Sequence, residues 1–145
     1  MLLKIENMKK VFSLLSIIVV ALCLTVSINS CTTESQLEIG VAVANSQCPI
    51  DCGSGLEITD VTMEDGNVVY NCNVNESVSG VYDIQLMKSP EVKEAMMAAI
   101  TTDNSDPDVK AFMDAIKETG TDIIFRFNGV ETGESVQITI DSTEL

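Results

Sequence analysis

An uncharged apolar run from Val11 to Ile28, with Lys9 and Lys10 before it and Cys31 just after it, divides this chain in two. The first part suits a lipid phase and the second must fold in water. The order of basic, apolar and then small or polar residues (Ser27, Asn29, Ser30) is that of a secretory leader. Met8 stands directly before the lysines and is an alternative start to Met1. A run of about 18 residues also lies near the lower limit for a membrane span, so a single transmembrane anchor is the competing reading.

Cys31 favours the leader. Ile28-Asn29-Ser30-Cys31 resembles the lipobox of bacterial lipoproteins, although Asn29 stands where Ala, Ser or Thr is usual. The resemblance implies cleavage before Cys31, a diacylglyceryl thioether on its sulfur and an acylated amine. Each buried methylene contributes about 0.8 kcal/mol, so two or three chains hold firmly. The expected organisation is a signal peptide over 1–30, a tether over 31–36 and one domain over 37–145.

Only Glu6, Lys4, Lys9 and Lys10 carry charge before Cys31, so 21 of the 22 acidic but 5 of the 8 basic residues follow it. Such a balance opposes nucleic acid and anionic lipid surfaces as partners. The 115 residues from Cys31 onward suffice for one compact core. Cys48, Cys52 and Cys72 remain after processing. An exported chain meets oxidising surroundings, and a Cys52–Cys72 bridge is the expected pairing. Closing a loop of about 20 residues would contribute roughly 3 kcal/mol. Three thiols with no histidine do not complete a structural zinc tetrahedron.

Periodicity supplies the elements. Leu37, Val41, Ala44 and Cys48 fall at helical spacing before Pro49, against a competing strand reading from Ile39, Val41 and Val43. Asp65-Gly66 between two β-rich runs predicts a hairpin over 56–63 and 68–74. The phase change from Leu56 and Ile58 to Val61 and Met63 predicts a bulge near Thr59 or Asp60. Ser89-Pro90-Glu91 and Asp106-Pro107-Asp108 are helix starts, and Gly120 suits a helix end. Ile123, Phe125 and Phe127, then Val136, Ile138 and Ile140, predict a second hairpin with its turn at Glu131-Thr132-Gly133. The expected fold is an α+β two-layer sandwich: a four-stranded antiparallel sheet of two hairpins, with about three helices on one face.

Chemistry is sparse. Asp103 to Asp108 carries oxygen ligands, but Pro107 and Asp108 fall where a calcium loop needs a ligand and Gly. A helix cap explains the same residues. Met96 and Met97 fit core filling better than an adaptable surface. No histidine accompanies Cys48, no phosphate loop follows a strand, and no spacing pairs two carboxylates for catalysis. Neither a catalytic residue, a cofactor nor a metal site is predicted. Arg126, Asn128, Asn71 and Gln137 fall on one predicted polar sheet face and are the binding candidates; the alternative for Arg126 is a cross-strand pair with a neighbour such as Asp141. Asp141-Ser142-Thr143 resembles the O-glycosylation signal that Bacteroidetes use on exported proteins, which makes Ser142 a glycosylation candidate.

Ala44 to Pro49, Asn67 to Tyr70, Asp106 to Lys110 and Phe125 to Gly129 together resemble a group of small Bacteroides-type lipoproteins of uncharacterised function. Cys52 and Cys72 stand where apolar or aromatic residues are commoner in that group. The resemblance implies an outer-membrane or cell-surface location and carries no activity. The expected function is a lipid-anchored, non-enzymatic module that binds a protein or small-molecule ligand. The alternatives are a structural surface antigen, or an envelope hydrolase or its inhibitor.

Overall fold

Leu37, Val41 and Ala44 recur at helical spacing and all three are buried, so the stretch before Pro49 is a helix. The computed structural model describes residues 33–52, 55–79, 84–102 and 107–145. α1 (Thr33–Ser46) begins inside the segment expected to be a tether. Burial of one face outweighs the weak strand preference of Ile39, Val41 and Val43. A cis Cys48–Pro49 peptide leads to the two-residue strand β1 (Ile50–Asp51).

β2 (Leu56–Glu64) and β3 (Asn67–Val74) form the expected hairpin. Asp65 and Gly66 both adopt positive φ, 52° and 80°, as a two-residue turn of matching twist requires. The register shifts between Ile58 and Asp60, at the predicted bulge. There the Thr59 hydroxyl donates to the Asn71 carbonyl at 3.0 Å, which satisfies an acceptor in the interrupted ladder.

The single-turn helices α2 (Glu76–Ser79) and α3 (Ile84–Met87) follow, then α4 (Pro90–Thr102) and α5 (Pro107–Thr119). Val92 and Met96 of α4, and Met113 and Ile116 of α5, are buried. Helical spacing also predicts Ala99, Ile100, Val109 and Phe112 as inward-facing, but their side chains, like Val81, lie outside the described residues. Gly120 ends α5 with φ 66°. β4 (Ile123–Gly129) and β5 (Ser135–Ile140) complete the sheet, joined by a turn with Gly133 at φ 69°. A 3-10 turn, Ser142–Glu144, closes the chain, capped by Asp141.

Among the described residues the sheet has five strands, in the order β1-β2-β3-β4-β5. The expected four-stranded antiparallel sheet is thus corrected, while the α+β class and both hairpins stand. β3 and β4 pair in parallel, Val68 opposite Ile123 through Val74 opposite Gly129. A parallel neighbour needs a long crossover, and the helices between Val74 and Ile123 supply it. Strand alternation does not report strand direction, so the hairpins were legible and the way they join was not.

The inner face centres on Tyr70, Phe125 and Phe127. Tyr70 and Phe125 stack at 4.8 Å, and Phe125 and Phe127 at 6.2 Å. Leu37, Val41, Met96 and Ile116 bring the helices into the same core.

Candidate functional site

Alternation along each strand puts one set of side chains on the helix-covered face and the other outward. The register sets the outward residues in rows. Asp60, Asn71, Arg126 and Gln137 lie side by side across β2 to β5. Glu57, Asn73, Asn128 and Ser135 form the next row, and Thr62, Val69, Ile124 and Thr139 the row on the other side. The four binding candidates therefore meet on one surface. Asp60, Glu64 and Asn73 belong to it as well; the bulge hid the phase of Asp60 in the sequence.

Hydrogen bonds hold these groups in place. Asn71 Nδ2 donates to Asp60 Oδ1 at 2.6 Å. Arg126 Nε donates to Gln137 Oε1 at 3.3 Å, and its Nη1 donates to Glu64 Oε2 at 2.6 Å. The ion-pair partner is thus Glu64, not Asp141. Arg126 stands level with Asn71, and Glu64 level with Asn67, so the pair spans β3 across Val69. That explains how Val69, on the outward face, is fully buried. Thr62 Oγ1, beside it, is buried without a hydrogen-bond partner among the described residues.

Both charges of the pair remain partly in water, at 37% and 45% side-chain exposure, so the attraction itself contributes little. The arginine stem matters more. Replacing Arg126 with Ala is expected to lower stability by about 1 kcal/mol, mainly by uncovering Val69. Glu64→Gln should lower it by less than half as much. Urea unfolding of both variants checks this; equal losses would put the effect in the ion pair.

Among the described residues Cys48, Cys52 and Cys72 are free thiols, with Cys72 buried and Cys48 and Cys52 half-buried. The expected Cys52–Cys72 bridge is not formed. Cys72 lies opposite Ile58, and Ile58 opposite Ile50, so β2 separates β1 from β3. Cys52 follows β1 and its N–H donates to the Leu56 carbonyl of β2 at 2.9 Å, so it too lies across β2 from Cys72. Two strand spacings are about 9.5 Å, beyond the usual Cα reach of a disulfide. Burial raises all three thiols, that of Cys52 to about 11 from an ordinary 9.0. The thiolate is the nucleophile. Cys52 should therefore alkylate about a hundredfold more slowly in the folded than in the urea-unfolded chain near pH 7.5. Peptide mass mapping after a timed iodoacetamide pulse reads this directly.

Cys31 and the apolar run before it lie outside the described residues. Among the described residues, no helix is long and apolar enough to cross a membrane, and no three metal-ligating side chains are grouped to hold an ion. Ser142 opens the closing 3-10 turn, with its N–H donated to Asp122 Oδ1 at 3.1 Å. Asp141 accepts from the Thr143 N–H and hydroxyl, which hold its carboxyl below the usual range.

No protein-family description matches the chain, and no curated protein sequence does. Solved structures share its fold. A Pseudomonas aeruginosa protein described as secreted is 13% identical, with a TM-score of 0.57 over 77% of this chain and 91% of its own. The type 2 secretion pilotin EpsS of Vibrio vulnificus is 14% identical, with a TM-score of 0.50 over 77% and 94%. The type II secretion pilotin AspS of Vibrio cholerae is 10% identical, with a TM-score of 0.51 over 78% and 92%. At these identities the likeness is one of fold.

Proposed function

We propose that this chain is an exported lipoprotein, anchored to a bacterial envelope membrane through Cys31, that binds a protein partner on the outward face of its sheet without catalysing a reaction. The observation that carries the binding half is the face itself. Asn71, Asn73, Arg126, Asn128 and Gln137 present amides and a guanidinium from adjacent strands, several of them held by hydrogen bonds. A surface ordered in this way loses little side-chain entropy on binding. Two of the structures with this fold are described as components of type 2 secretion systems, which supports a protein over a small-molecule ligand. The raised thiols support a non-enzymatic reading.

The anchor half rests on Ile28-Asn29-Ser30-Cys31. Cys31→Ser should leave the leader uncut and the acyl mass absent in intact-mass spectrometry. Unchanged processing with equally firm membrane retention would defeat it in favour of a spanning helix. The binding half is tested separately, with a photo-reactive residue placed at Asn73 or Asn128 in living cells. One defined adduct, lost on changing Asn71 and Gln137 to Ala, is the expected result. Adducts unaffected by those changes would remove the face from consideration. Kinship with the Bacteroides-type lipoproteins is part of the same reading, and a glycan mass at Ser142 would support it.

A further inference from the structure

The two edges of the sheet differ. β1 offers two residues, whereas β5 offers six, and β5 contains neither charge nor proline. Natural sheets usually blunt a long edge with lysine, proline or a bulge. The hydrogen-bond phase shows which groups β5 exposes. The Val68 N–H donates to the Asp122 carbonyl and the Val130 N–H to the Val74 carbonyl, so the even positions of β4 face β3. The Gly129 N–H donates to the Glu134 carbonyl, so the odd positions of β4 face β5 and meet its even ones. The backbones of Ser135, Gln137 and Thr139 therefore point away from the sheet. Among the described residues no hydrogen bond reaches those N–H or carbonyl groups.

We propose that a second copy of this chain pairs on that edge, β5 antiparallel to β5, with Gln137 facing Gln137 on a two-fold axis. The occupant follows from pattern and charge. In this register Ser135 meets Thr139 of the other copy, and all three outward backbones are used in both copies. Val136 meets Ile138 on the inner side, which extends the apolar face. Glu134 meets Ile140 and Asp141 meets Gly133, so no carboxylate faces another. For a chain of net charge −14, that makes β5 a place where two copies approach without like charges in direct opposition. The pairing is isologous, as a closed dimer requires.

The test uses the full chain in detergent micelles. Gln137→Cys should give a dimer with a short bis-thiol-reactive reagent, well above the background of the parent chain. Asn128→Cys, on the same face but one strand inward, should stay at background. Gln137→Glu sets two carboxylates opposite each other and should weaken the dimer roughly five- to tenfold in sedimentation velocity, with recovery in high salt. Thr139→Pro removes an outward donor where an edge tolerates proline and should abolish pairing while the circular dichroism is kept. Equal cross-linking at 137 and 128, or a dimer indifferent to both edge changes, would overturn the proposal. So would a parent chain that stays monomeric, including one whose edge instead takes a strand from another protein.

Discussion

Phe125→Ala is expected to lower the unfolding free energy by about 3–5 kcal/mol. Its ring is 1% exposed and lies between Tyr70 on the neighbouring strand and Phe127 two residues on. Truncation removes two stacked contacts and leaves a hole that the sheet backbone, paired on both sides of β4, cannot close. Domains of this size hold about 5–15 kcal/mol in all, so the variant should be largely destabilised by modest urea. Phe125→Leu keeps most of the volume and should recover more than half of the loss. A midpoint within experimental error of the parent would show that these rings are not the centre of the core.

The second large effect is alkaline. Cys72 is fully buried in β3, and desolvation raises its thiol far above the ordinary 9.0. The unfolded chain gives up that proton near pH 9 and the folded chain keeps it. The stabilisation is thus fully present below pH 9 and is lost as pH rises above it, by about 1.4 kcal/mol per pH unit. By pH 10.5 the loss is about 2 kcal/mol from this group alone. Cys52, half-buried with its thiol near 11, adds a smaller loss over the same range. Cys72→Ala should be weaker than the parent at pH 8 because of its cavity, yet the gap should nearly close by pH 10.5. Urea midpoints under reducing conditions decide the matter, and parallel pH curves for the two chains would refute it.

Much of the local structure could be read from the residues. The Asp65-Gly66 turn, the bulge beside Thr59, the helix starts at Pro90 and Pro107, and the alternation of Ile123, Phe125 and Phe127 each rest on a few neighbouring residues. Backbone preference and burial parity act over that range. The outward positions of Asn71, Arg126, Asn128 and Gln137 follow from the same parity. The partner of Arg126 does not, because Glu64 lies 62 positions away and reaches it only through the order of the strands. The same holds for Cys52 and Cys72: their spacing suits a loop closure, but β2 runs between Cys52 and the strand that carries Cys72.

What the residues alone determine is therefore the acidic balance, the hairpins and the helices, since each can be read without knowing how distant segments meet. The tertiary structure decides that β3 and β4 run side by side in the same direction. It thereby decides which polar groups become neighbours, and that β5 is left as the long open edge. Those outcomes depend on how separate segments share one apolar core, and burial is indifferent to which strand supplies the area as long as the whole face is covered.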